Sequence, residues 1–132
     1  MFLIDYNIIY DIIFMYKVKF YKDSISGFEP VLNYLQKIDN KSRQKINKYI
    51  DFLRQNNGYL SEPYSKHISG KIRELRVDFF VHHHRIFYFS FLNKTIILLY
   101  AFKKNTKKTP KKYIKIAFKN YLDAISNSQI YD

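Results

Sequence analysis

The residues best suited to chemistry crowd into residues 72–110, IRELRVDFFVHHHRIFYFSFLNKTIILLYAFKKNTKKTP. Arg73, Arg76 and Arg85 punctuate apolar runs, His82, His83 and His84 stand side by side, and Lys103, Lys104, Lys107 and Lys108 follow. Cations spaced along a rigid apolar platform make a surface for phosphate. Arg85 opens one of the runs, and a guanidinium that never loses its proton is a permanent clamp for a phosphorus centre gaining negative charge. Histidine titrates near neutrality, so one of the three suits the work of carrying a proton, and a plain turn rich in histidine is the favoured alternative. Consecutive residues on a strand alternate in direction, so the three do not converge on one ion and no metal site is expected. Arg73 and Arg76 lie at odd spacing, which lets at most one of them face a shared groove. Glu74 and Arg76 share a face, and the plainer reading of that pair is an exposed ion pair worth about 0–1 kcal/mol. The lysines precede Thr109-Pro110, a helix start whose free N–H groups add to an anion site. A generic basic loop is the alternative. Tyr100 and Phe102 share a strand face, where they can stack bases or simply fill the core.

These side chains need a sheet to hold them. Residues 72–77, 85–92 and 95–102 are β-branched and aromatic runs, the last two separated by Asn93-Lys94 as in a hairpin. Upstream, residues 16–21 alternate as a half-buried strand does, with Val18 and Phe20 on one face. Pro30 then opens a helix carrying Val31, Tyr34, Leu35 and Ile38 at helical spacing, ending near Asp39-Asn40. A second helix, about 42–56, repeats Ile46, Tyr49, Ile50 and Leu53 and stops at Asn56-Asn57-Gly58. Residues 61–70 read as a polar connection. Thr109 as cap and Pro110 as first residue start a last helix with an apolar stripe of Ile114, Ala117, Phe118, Tyr121, Leu122 and Ile125. The order is β-α-α-β-β-β-α, which predicts an α+β domain with an antiparallel sheet and its helices on one face.

The chain has 132 residues, 13 of them Tyr and 12 Phe, enough for a real core. It has no cysteine, which excludes disulfides, thiolate metal sites and cysteine nucleophiles and agrees with a reducing cytoplasm. The net charge of +12 is uneven: residues 1–60 hold nine Lys/Arg against six Asp/Glu, residues 61–132 fourteen against five. A basic half on a β-rich core points to a polyanionic partner. Residues 1–15, MFLIDYNIIYDIIFM, are apolar but too short and too acidic to span a membrane, and they lack a secretory leader's basic start. They read as an N-terminal extension, so a chain beginning at Met15 is expected to fold and act alone. Residues 16–125 read as the domain and residues 126–132 as a frayed tail.

Several ordered blocks carry a resemblance. They are Glu29-Pro30-Val31, Glu62-Pro63-Tyr64, Arg73-Glu74-Leu75-Arg76, Arg85-Ile86-Phe87-Tyr88-Phe89 and the long run from Ile97 to Pro110. Over about residues 16–125 the chain resembles the RelE/ParE superfamily of toxin–antitoxin toxins, closest to the HigB-like, phage-derived branch. It departs in its three histidines, where relatives carry small or mixed residues, and in its first 15 residues. The resemblance implies a RelE-like fold and a cytoplasmic, ribosome-dependent mRNA endonuclease. It also implies a cognate helix-turn-helix antitoxin (HigA-like) and a toxin–antitoxin hetero-oligomer, with no cofactor. RNA cleavage of this kind proceeds by attack of a ribose 2′-hydroxyl on its phosphate. The implied catalytic set is Arg76, Arg85, Lys104 and His84, and the implied RNA-binding set is Arg73, Lys103, Lys107, Lys108 and Lys111. Two alternatives stand beside it: a ParE-like topoisomerase poison, and an inactive nucleic-acid-binding remnant.

Overall fold

A computed structural model describes residues 5, 15–91 and 94–132. Its elements are β1 (Lys17–Phe20), α1 (Pro30–Lys37), α2 (Asn40–Gln55), β2 (Ser65–Ser69), β3 (Ile72–Phe79), β4 (His82–Ser90), β5 (Thr95–Lys103) and α3 (Lys111–Ser126). The fold is α+β, with one five-stranded sheet in the order β1-β5-β4-β3-β2. The expected extension over residues 1–15 falls, Asp5 and Met15 apart, outside the described residues, as does Asn93 of the expected hairpin turn.

The sheet differs from expectation in two ways. It is mixed rather than antiparallel: β2 to β5 form an antiparallel meander, but β1 runs parallel to β5, with Lys17 opposite Thr95 and Phe20 opposite Leu98. No hairpin joins β1 to β5, so nothing local forces them antiparallel. The polar connection also contains a strand, β2. Its backbone pairs with β3 at the sheet edge, and its polar SKHIS side chains, Ser65 excepted, stay at least partly in water. Ladder hydrogen bonds made it, not hydrophobicity.

The helices cover both faces, not one. Val31 and Leu35 of α1 and Ile46 and Leu53 of α2 pack on Leu75, Val77, Ile86, Tyr88, Ile96 and Leu98. On the opposite face Ala117 and Ala124 of α3 sit on Phe87, Phe89, Ile97, Leu99 and Phe102. The near-continuous apolar runs of β4 and β5 require this, since both sides of those strands must leave water. Small residues let α3 approach closely. Leu99 is the extra residue where the β4–β5 register shifts, and its carbonyl accepts a 2.9 Å hydrogen bond from Asn120 Nδ2. Phe118, Leu122 and Ile125 of the expected stripe therefore remain exposed.

The start of α3 also corrects the sequence reading. Pro110 is the cap and Lys111 the first residue, because the Thr109 hydroxyl donates elsewhere, to Glu74. Ser128–Tyr131 makes a 3-10 turn, and the buried Tyr131 hydroxyl accepts from the Lys22 backbone N–H at 3.0 Å. Helix α2 ends as the sequence predicts, with Gly58 at φ +77°. A Cβ there would collide with the Ser90 hydroxyl. Gly58→Ala should thus cost about 1–3 kcal/mol, read as a Tm lowered by several degrees. A variant as stable as the parent would show that the loop shifts freely.

Candidate active site

The site lies on the α3 side of the sheet, beyond the end of the aromatic core. Glu74, Arg76 and Asp78 alternate along β3 and so share a face. Register sets Arg76 directly opposite Arg85 of β4, and Lys66 of β2 opposite Glu74. Two arginines facing each other repel, and a fully buried carboxylate relieves them. Glu74 Oε1 accepts from Arg76 Nε at 3.2 Å and lies 3.8 Å from Arg85 Nε. Its Oε2 accepts from the Thr109 hydroxyl at 2.9 Å, which pins the loop before α3 to the sheet. Arg85 is only 7% exposed. Its Nη1 donates to Asp78 Oδ1 at 2.8 Å and to the His84 carbonyl at 3.0 Å, while its Nε has no hydrogen-bond partner.

Next to this cluster opens a cleft of about 440 Å³, lined by Val81, His83, Arg85, Lys104, Asn105, Thr106 and Lys107. The Lys104 backbone N–H donates to the His83 carbonyl at 2.7 Å, which fixes the loop against β4. His83 Nδ1 stands 2.9 Å from Asp78 Oδ1, the oxygen that also accepts from Arg85. Burial alone would raise the Asp78 carboxyl, but hydrogen bonds from Arg85 and His83 hold it below its ordinary range. Burial pushes the Lys104 ammonium below its ordinary value, and the nearby positive charges of Arg85, Arg76 and Lys66 add to that against the pull of Glu74. Asp78 is an acceptor-only carboxylate, so the His83 Nδ1–H is the donor of this pair.

The structure brings together Arg76, Arg85, Lys104 and Lys107 from the sequence-derived set, and it separates the others. Arg73 faces the opposite side, over the Tyr59 ring, and donates to Ser65 Oγ at 3.0 Å. Lys103 pairs across from His84 and so shares that other face. Lys108 and Lys111 are exposed, outside the cleft lining. His84 does not reach the cleft. It is 2% exposed, with Nδ1 2.6 Å from the Tyr34 hydroxyl, and burial, then the charges of His82 and Lys103, lower its pKa. Tyr100 and Phe102 are packed on Tyr113, at 5.6 and 4.4 Å between ring centres, so they fill the core rather than offer a platform.

That Asp78 and Lys66 join this cluster, and that His83 rather than His84 lines the cleft, was not evident in the sequence. The period-two spacing of Glu74, Arg76 and Asp78 was the available signal for Asp78. The ion pair read as an exposed alternative, Glu74–Arg76, exists but is built on a buried carboxylate. Among the described residues no group of three His, Cys, Asp or Glu could hold a metal ion, and no helix is long and apolar enough to cross a membrane. The model of the family described as Phage derived protein Gp49-like (DUF891) matches residues 33–122. No curated protein matches the chain.

Proposed function

This chain belongs to the Gp49-like family of phage-derived proteins, a family of RelE/HigB-like toxins of toxin–antitoxin systems, and we propose that it is a HigB-like, ribosome-dependent mRNA endonuclease. One observation carries the proposal. Arg85 and Lys104 line an open cleft, and Arg76 stands directly across from Arg85 beside it. A scissile phosphate entering there meets fixed cations as charge builds on its oxygens. Lys66 and Lys107 extend the positive field to the flanking backbone. The chemistry is attack of the ribose 2′-hydroxyl on its own phosphate, which needs no metal.

Membership of this family points to an antitoxin partner, and a helix-turn-helix protein that covers the basic cleft is the form proposed here. Co-expression with such a protein should restore growth that this chain alone arrests and give a stable complex. A chain harmless on its own, with no such complex, would count against the toxin assignment for this member. The activity itself is tested by primer extension on mRNA in a translation mixture with and without ribosomes. Cuts that need ribosomes support the proposal. Intact mRNA with blocked DNA supercoiling would support a ParE-like action instead.

A further inference from the structure

The nuclease reading leaves open which group removes the 2′ proton. Three features select one. His83 lines the cleft that Arg85 and Lys104 share, whereas buried His84 lies on the other face, its ring 6.1 Å from that of His82. The His83 side chain is 48% exposed, so its free nitrogen is open to a substrate. Its Nδ1 is committed to Asp78, and Asp78 is itself anchored by Arg85. A carboxylate behind an imidazole sets both tautomer and ring direction, as a base needs.

We propose that His83 is the proton acceptor for the 2′-hydroxyl and that Asp78 is its positioning residue, an assignment that rests on the nuclease reading. His83 Nε2 takes the proton from O2′ as O2′ bonds to phosphorus. The bond from phosphorus to O5′ breaks, and O5′ takes a proton from the Lys104 ammonium. The products are a 2′,3′-cyclic phosphate and a 5′-hydroxyl, and both side chains then exchange protons with water. The charged groups around His83 are Asp78 from β3, Arg85 from β4, and Lys104 and Lys107 from the loop before α3. Their net field is positive, which steers the phosphate while one carboxylate keeps the imidazole aligned.

The test is single-turnover cleavage on preassembled ribosome–mRNA complexes between pH 5 and 8. His83→Gln should slow cleavage by about 10²-fold or more and flatten the rise of rate with pH. Added imidazole should restore part of the rate to His83→Ala, which a merely structural role does not predict. Asp78→Asn should lower kcat with KM little changed. A substrate with sulfur in place of O5′, whose departure needs no proton, should leave the His83→Gln defect intact. If that substrate rescues His83→Gln, the residue is the acid and the assignment is overturned. It is overturned equally if His83→Gln cleaves with the parent's rate and pH profile. Absence of cleavage by the parent protein removes the nuclease reading and this assignment with it.

Discussion

Glu74→Ala should destabilise the protein by about 3–5 kcal/mol, the cost of removing one side of a buried charge cluster. That is a large share of the whole folding free energy of a domain this size. The carboxylate is fully buried and serves two donors and a third charge: it accepts from Arg76 and Thr109 and lies 3.8 Å from Arg85 Nε. Without it the facing guanidiniums keep their charges and lose the group between them. Glu74→Gln keeps a hydrogen-bonding oxygen but not the charge, so it should fall between the parent and Glu74→Ala. Urea unfolding followed by circular dichroism measures both. A loss below about 1 kcal/mol in Glu74→Ala, the range of a surface pair, would mean the arginines turn out to solvent at little cost.

Arg85→Ala should instead act mainly on activity. Its removal leaves Glu74 with Arg76 and Thr109, and leaves Asp78, which is 55% exposed, with His83 and water. The buried carboxylate thus stays paired. Losing one charge-assisted contact to a developing oxyanion typically costs about 10²–10³ in rate, or about 2.7–4 kcal/mol. Arg85→Lys should recover only part of this, because an ammonium cannot serve Asp78 and a phosphate through one planar fork. Primer extension with ribosomes reads the rate, and the melting curve shows that the fold survives. Full cleavage by the double variant Arg76→Ala, Arg85→Ala would remove the phosphate site from this cluster.

Helices α1 and α2 and strands β3 to β5 were legible because each carries a strong period or a long apolar run. Val31, Leu35, Ile46 and Leu53 are buried at their expected helical spacing. Strand β2 was not legible, since SKHIS is polar at an edge and only its backbone matters to pairing. The two-sided burial of Phe87 and Phe89 against Ile86 and Tyr88 was written in the unbroken apolar run, although the element order pointed to helices on one face. Arg85 was singled out by its place among apolar residues, but its burial depends on Glu74, and a sequence does not say which carboxylate goes inside. Adjacent histidines face opposite ways on a strand, so choosing between His83 and His84 needed the register of β3 against β4.

The parallel β1–β5 pair has a kinetic meaning. During synthesis, Lys17–Phe20 leave the ribosome early, but their partners Thr95–Leu98 emerge only after most of the chain. The edge of the sheet therefore stays open until β5 is made, and its closure joins the most distant strands of the sheet. Such non-local pairing slows folding, since chain entropy is lost before contacts compensate. The Lys104–Lys107 loop that completes the cleft follows β5 directly, and the Glu74–Thr109 bond that pins it comes later still. A partly made chain thus has β1 unpaired and an unfinished cleft together. Whatever binds this protein at the cleft finds it complete only once the chain has been made as far as Thr109.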